Sequence, residues 1–250
     1  MRIKALLPVC VAFCFLVSCK KNSGTSSSSN PNRVKTYIET LTGTGVNETD
    51  TFNLSYNNSG RLVSMASKIQ QFNYAYNGNT SYTLDLFELG QLSIHEIYYI
   101  NSALHVDSTF QYDDTQDTTT EKYIYNGSQL MTLMTYDYSN KVSSLSTRDT
   151  YTYDNNGNGI KDVNDDGYGN INTITTFTYT NTPFQVTINP TYFPAAPKNL
   201  PATQTVTDGS GNVQANVTYT YVFDGAGRVI KQTETDNVSG YVGVKTYTYY

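Results

Sequence analysis

The run from Asp154 to Asp165 carries the residues best suited to chemistry. Oxygen-bearing side chains stand at its positions 1, 3, 5, 9 and 12, and glycine stands at position 6. A calcium ion needs several oxygen ligands converging on one point, and alternate residues of a tight loop can supply them. The pattern predicts a structural calcium site, and no other cofactor is expected. Its ligands would be Asp154, Asn156, Asn158, the Ile160 carbonyl, Asp162 and Asp165.

The same run also fits a simpler interpretation. Asparagine replaces aspartate at positions 3 and 5, and aspartate replaces a bidentate glutamate at position 12. Hairpin turns rich in asparagine and glycine need no ion. An ion-free turn therefore stays open beside the calcium loop.

Catalytic chemistry is not expected from this chain. The two histidines are His95 and His105, and His95 is followed directly by Glu96. Adjacent strand residues face opposite ways, so this pair cannot act together. No glycine-flanked nucleophile motif is present, and the paired carboxylates Asp113-Asp114 and Asp165-Asp166 lie in turn-like stretches. No catalytic residue is assigned, and a secreted glycan hydrolase is the least favoured function.

One short phrase repeats along the chain and must build the elements that position these residues. Its clearest copy runs from Tyr219 to Ile230. Tyr219, Tyr221 and Phe223 alternate with Thr220 and Val222, which predicts a strand with aromatic rings on one face. The Asp-Gly-Ala-Gly that follows accepts the positive φ of a tight hairpin. Further copies follow the same order: Leu54–Val63, Tyr123–Leu130 and Tyr151–Asn158.

The pattern Tyr-x-Tyr-Asp/Asn-x-x-Gly-Arg-Leu/Val resembles the YD repeats of Rhs-type proteins. It is still more similar to tyrosine-rich lipoproteins of unknown function that are common in Bacteroidota. The resemblance covers roughly residues 50–250, and the copies at Tyr56–Leu62 and Tyr221–Val229 keep the Gly-Arg step. It implies a sheet built from successive hairpins and implies no specific activity.

The predicted fold class is all-β. Sequential hairpins favour an antiparallel meander, curled or rolled into a partly closed barrel or spiral, with little helix. Residues 154–170 are expected to be an insertion in the repeat. Four prolines between Pro190 and Pro201 interrupt the strand pattern. Because proline cannot donate to a ladder, a crossing loop or sub-boundary is expected at 189–202.

The first residues predict a lipoprotein. Arg2 and Lys4 precede a short apolar run that ends in Leu16-Val17-Ser18-Cys19. This resembles a bacterial lipobox, which predicts a signal peptide over 1–18 and lipidation of Cys19. Residues 19–33 form a serine-rich tether, and 34–250 form the folded domain. The expected partner is therefore the membrane, and the expected location is the outer membrane, with the periplasmic or surface face left open.

Composition excludes other classes of function. All three cysteines lie within the first nineteen residues, so cysteine chemistry in the folded domain is excluded. The formal net charge is −5, and no cluster of lysine and arginine follows Lys21. Binding to nucleic acid needs such clusters and is not expected.

The function predicted is a non-catalytic, membrane-anchored surface that binds glycans or partner proteins. The tyrosine alternation could stack on sugar rings, or it could be the core of the sheet. The regular repeat and the absence of tryptophan favour the core. A structural envelope component without a small ligand is the alternative from another class.

Overall fold

The computed structural model describes residues 33–43, 45–113, 118–139, 142–184, 186, 188 and 197–250. The predicted signal peptide, Cys19, nearly all of the tether and residues 189–196 lie outside these ranges. Every regular element in the described residues is a strand, and no helix among them is long and apolar enough to cross a bilayer. The expectation of little helix is confirmed for this part of the chain.

Sixteen strands follow one another along the chain. They are β1 Val34–Gly43, β2 Val46–Tyr56, β3 Leu62–Ala66, β4 Gln70–Asn77, β5 Ser81–Glu88, β6 Gln91–Ile100, β7 Val106–Asp113, β8 Thr118–Asn126, β9 Gln129–Ser139, β10 Val142–Tyr153, β11 Gly159–Asp165, β12 Ile171–Pro183, β13 Asn199–Asp208, β14 Val213–Phe223, β15 Val229–Asp236 and β16 Val242–Tyr249.

The strands form one closed antiparallel barrel. Each strand pairs with its sequence neighbours, and β1 also pairs with β16, from Val34 opposite Tyr249 to Thr42 opposite Val242. The predicted meander is confirmed, whereas partial closure is wrong. Closure also satisfies the backbone groups that an open sheet would leave free at its two edges. A barrel of this strand number is wide enough for an aqueous interior.

The repeat tyrosines point into the barrel. Tyr37 lies between Phe52 and Tyr247 in register, and its ring stacks on both at 5.7 Å between centroids. In the clearest copy of the repeat, Tyr221 packs on the buried core while Val222 is exposed. The predicted alternation is therefore confirmed.

Phe223 continues that alternation at the end of β14. The register passes from Val222 opposite Lys231 to Phe223 opposite Val229, so the extra residue, Ile230, lies on β15 and the spacing along β14 is unbroken. Phe223 therefore lies opposite the buried Val229, and its ring is 6.4 Å from that of Tyr221. The expectation that Phe223 shares the face of Tyr219 and Tyr221 is confirmed, although its side chain is 39% exposed at the end of the strand.

One turn geometry recurs around the barrel rims. In Asp224–Arg228, the Asp224 N–H donates to the Arg228 carbonyl at 2.9 Å, and the Arg228 N–H donates to Asp224 Oδ1 at 2.9 Å. Gly227 has a φ of 77°, which favours glycine. The same pair of hydrogen bonds forms in Asn57–Arg61, Asn101–His105, Asp154–Asn158, Asp166–Asn170 and Asp208–Asn212.

Residues 154–170 are not an insertion, contrary to expectation. They contain two copies of this turn, at Asp154–Asn158 and Asp166–Asn170, with the regular strand β11 between them. The second turn lacks the aromatic alternation before it, which hid the repeat in the sequence.

A second recurring contact explains the tyrosine before the turn. The Tyr221 hydroxyl donates to the Pro201 carbonyl at 2.8 Å, near the start of the preceding strand. Such a bond satisfies a carbonyl at the rim and joins neighbouring strands where pairing ends. The equivalent pairs are Tyr56 with Val34, Tyr76 with Leu62, Tyr153 with Leu130, Tyr179 with Gly159, and Tyr249 with Val229.

The buried interior is divided between two clusters. One lies against β1–β3 and β13–β16 and includes Val186, from the connection between β12 and β13. Phe184 and Ile188 of the same connection also pack there, so this segment lies against the inward-facing core residues. The other cluster lies on β5–β9 around Tyr82, Tyr98 and Tyr123.

Candidate functional site

The first half of the predicted calcium loop is a rim turn. Asp154 Oδ1 accepts the N–H groups of Asn156 and Asn158 at 2.9 and 2.8 Å. Asp154 Oδ2 accepts the Asn158 side-chain amide at 2.9 Å. These hydrogen bonds lower the pKa of Asp154, although the little burial it has acts in the opposite direction. Both carboxylate oxygens are therefore engaged by the turn itself.

The second half of the predicted loop forms strand β11, which extends away from the rim turn. Asp162 pairs in register with Tyr151, whereas Asp165 pairs with Arg148 and accepts its guanidinium N–H groups at 2.8 and 3.1 Å. The structure brings Asp154, Asn156 and Asn158 together at the rim and leaves Asp162 and Asp165 at separate places. The calcium site stays a prediction that a melting experiment must test.

Asn158 connects this turn to the next hairpin. It is 1% exposed, and its side chain contacts both the Asn199 N–H, at 2.9 Å, and the Asn199 side chain, at 3.2 Å. A depression of about 690 Å³ is lined by Asn158, by Tyr179, Lys198 and Asn199, and by three further predicted calcium ligands, Asp154, Asn156 and Ile160. Asn158 has its hydrogen bonds satisfied within the protein, which assigns it a structural role.

The histidines are placed on different surfaces. His95 pairs with Asp85, and its ring lies 4.8 Å from the tilted ring of Tyr112, while Glu96 accepts the Tyr98 hydroxyl among the buried tyrosines. The prediction that His95 and Glu96 face opposite ways is therefore confirmed. His105 ends a rim turn against Tyr125, and burial lowers its pKa.

Most of the outward face is polar. Threonines stand opposite one another across β12, β13 and β14, where Thr203 pairs with Thr178 and Thr218. The Thr178 and Thr203 hydroxyls lie 2.7 Å apart. Side chains of this kind suit a sheet surface in water.

The strands β6–β9 interrupt this polar surface with aromatic rings. Tyr99, Phe110, Tyr112 and Tyr138 are between 37% and 47% exposed. A groove of about 490 Å³ lies beside two of them, Tyr99 and Phe110, and Tyr136 is the third aromatic residue that lines this outward groove. Polar and charged residues line the rest of it: Asp107, Ser108, Thr109, Thr120, Glu121, Lys122 and Ser143.

Carboxylates occupy the inward face of the same half of the barrel. Glu121 accepts the Tyr123 hydroxyl at 2.5 Å and the Thr109 hydroxyl at 3.1 Å. Asp149 accepts the Asn164 amide at 2.8 Å. Together with two neighbours they form what we term the lumen acid row: Glu96 on β6, Glu121 on β8, Asp149 on β10 and Asp162 on β11.

Burial and mutual repulsion raise pKa values in the lumen acid row. Burial raises the pKa of Glu96; the Tyr98 hydrogen bond and the His95 charge oppose this increase, and the nearby Glu121 charge adds to it. Burial also raises the pKa of Asp149. Burial and the Asp149 charge raise the pKa of Asp162 to about 7. Among the described residues, no lysine, arginine or histidine forms an ion pair with any of the four.

The wall formed by β1, β15 and β16 differs from the lumen acid row because its carboxylates lie beside a lysine. Lys245 on β16 lies 2.7 Å from Glu234 and 3.7 Å from Glu39. Sequence reasoning missed both this triad and the lumen acid row. Their members lie far apart in sequence, and only the order of strands around the barrel brings them together.

These features define a closed all-β barrel with an aromatic outward groove and an acidic inward wall. No protein-family model matches the chain, and no curated protein matches it. The resemblance to YD-repeat lipoproteins therefore stays a prediction.

Solved structures with a similar fold are known. The chain is similar to a porin-like protein from Bacteroides uniformis, with a TM-score of 0.63 and 14% identity, over 89% of this chain and 99% of that one. It is equally similar to a porin-like protein from Bacteroides vulgatus, with a TM-score of 0.63 and 13% identity, over 87% and 98% of the two chains. At such low identity the likeness extends to the fold alone.

Proposed function

We propose that this protein is a non-catalytic lipoprotein of the outer membrane that binds glycan chains in its outward groove. The observation that carries the proposal is the groove on β6–β9, where three aromatic rings border hydroxyl groups and a lysine. Aromatic faces pack against the apolar C–H faces of sugar rings. Hydroxyl and ammonium groups beside them can bond the sugar hydroxyls.

The mixture of groups favours a glycan over a protein partner. Protein interfaces concentrate apolar side chains in a dry centre. Here Ser108, Thr120 and Lys122 lie between the rings and divide the apolar surface. A sugar chain presents alternating apolar and polar groups that match this division.

Attachment to the membrane is assigned to the lipid rather than to the barrel wall. A barrel that spans a bilayer carries an apolar band on its outer face, whereas this wall presents paired threonines. Acyl chains on Cys19 would hold such a water-facing barrel at the membrane. An outer-membrane address is supported by the lipobox and agrees with the porin-like names of the two neighbours.

A glycan array with the mature protein tests the binding role. We expect selective binding that Phe110→Ala weakens about tenfold or more, the loss typical of a buried aromatic contact. Tyr168→Ala is the matched control, since Tyr168 is 84% exposed in a distant turn. An array without signal would contradict the proposal and favour a structural envelope role.

Fractionation of cells tests the anchor. We expect the wild-type protein to incorporate labelled palmitate and to sediment with outer membranes. Cys19→Ser should remove both the label and the sedimentation, because the thiol carries the lipid. A variant that still sediments would show that another part of the chain holds the membrane.

A further inference from the structure

The lumen acid row is a concentration of negative charge, and Glu121 is the one member of its four that also lines the glycan groove. Its four carboxylates lie on the inward wall, and none has an ion-pair partner among the described residues. We propose that this wall is a second binding site, specific for a linear polyamine. The proposal does not rest on the outward groove, although Glu121 belongs both to the row and to the lining of the groove.

A fully buried phenol supplies a separate observation. Tyr82 is 0% exposed, and its hydroxyl has no hydrogen-bond partner among the described residues. Its ring stacks on Tyr98 at 4.4 Å with an angle of 6° between planes. The Tyr98 hydroxyl donates to Glu96, and the Glu96 charge contributes, after burial, to raising the pKa of Tyr82, so the Tyr82 phenol lies near the same acidic wall. A buried hydroxyl without a partner is costly unless a ligand or water satisfies it.

A second buried polar atom without a partner lies on Asp162, at the other end of the row. It is 6% exposed, and its Oδ1 atom also lacks a hydrogen-bond partner within the described part of the chain. Ionising a buried carboxylate without a partner is unfavourable. A cation beside it would remove that cost.

The spacing of the carboxylates selects the kind of cation. In the described residues, no three acidic, histidine or cysteine side chains gather closely enough to hold one metal ion. Glu96, Glu121 and Asp149 lie on alternate strands, so their backbones are about 10 Å apart around the wall. Several separated anions match a chain that carries several separated ammonium groups, rather than one concentrated charge.

The tyrosines between the carboxylates suit the rest of such a ligand. Tyr98, Tyr123 and Tyr151 surround the acids and are largely buried. Their rings can pack on methylene groups and attract ammonium groups through the negative ring face. A linear polyamine combines both features, whereas a neutral sugar would leave the carboxylates uncompensated.

Titration calorimetry with spermidine tests the proposal on the mature protein in detergent. We expect saturable binding that the double variant Glu121→Gln, Asp149→Asn weakens at least tenfold, because charge-assisted hydrogen bonds are the stronger ones. The double variant Glu48→Gln, Glu88→Gln is the charge-matched control, since it also removes two carboxylates and both residues are exposed. Phe110→Ala should bind spermidine like the wild type, which separates this site from the glycan groove.

Two results would overturn the proposal. The first is no binding by the wild type, or equal binding by the double variant after its melting curve has shown that it is folded. The second is calcium binding of equal affinity that competes with spermidine at the same ionic strength. That result would indicate a general attraction of cations rather than a polyamine site.

Discussion

Replacing Asp162 by asparagine should stabilise the protein at alkaline pH. The folded pKa of about 7 exceeds the ordinary value of 3.8, so the folded protein holds this proton more tightly than the unfolded chain. Stability therefore falls as pH rises through the window from about 4 to 7, and the loss persists above it. Asp162→Asn carries no charge at any pH and should escape this loss.

The size of the gain in unfolding free energy follows from the difference between the folded and unfolded pKa values of Asp162. Roughly three pKa units at 1.36 kcal/mol each give a ceiling of about 4 kcal/mol. Because part of the shift comes from the Asp149 charge and buried groups relax, we expect about 2 kcal/mol at pH 8. For a domain of this size that gain raises Tm by about 4–8 °C.

Thermal unfolding of wild type and Asp162→Asn at pH 8 and at pH 4.5 measures this effect. The buffer should contain no amine, so that ligand binding does not offset the repulsion. Asp137→Asn is the control, since that carboxylate is exposed and should change Tm little. No gain at pH 8, or an equal gain at both pH values, would refute the reasoning.

Three further predictions concern the recurring contacts and the calcium loop. Tyr221→Phe removes the hydroxyl that the Pro201 carbonyl accepts and should cost about 1 kcal/mol in urea unfolding, with Tyr168→Phe as an unaffected control. Gly227→Ala should cost about 1 kcal/mol because its φ is 77°, whereas Gly225→Ala in the same turn meets no atom within 4 Å and should cost little; equal losses would show that φ is not the cause. If the 154–165 loop binds calcium, with affinity on the order of 0.1–1 mM, millimolar calcium should raise Tm, and Asp154→Ala with Asp162→Ala should abolish the rise; an unchanged Tm would remove the site.

Local patterns in the sequence predicted the local structure. Alternation of Tyr219 and Tyr221 with Thr220 identified both strand and buried face, because period two is a property of each strand by itself. The turn at Asp224–Arg228 followed from residues that accept positive φ. The equivalent turn at Asn101–His105 was hidden because Leu104 takes the glycine position, with a φ of 64°.

Long-range features could not be predicted in the same way. The pairing of β1 with β16 depends on the summed twist and tilt of all strands, and no single residue records that sum. The lumen acid row also depends on long-range pairing, since its members come together only when the six successive strands β6–β11 are in place. The predicted ligand spacing of the calcium loop assumed a compact loop, yet β11 extends it and separates Asp162 from Asp154.

Closure of the barrel is the central claim, and one cross-link tests it most directly. Thr40 and Val244 are register partners across β1 and β16, where paired Cα atoms lie about 4.5–5.5 Å apart, within reach of a disulfide. In a chain without its native cysteines, Thr40→Cys with Val244→Cys should oxidise to an intramolecular disulfide seen by mass and gel mobility. The control pair Thr40→Cys with Thr220→Cys, whose strands are three positions apart around the barrel, should not form a disulfide. Failure of the first pair to form the bond, or equal formation by both pairs, would contradict a closed barrel.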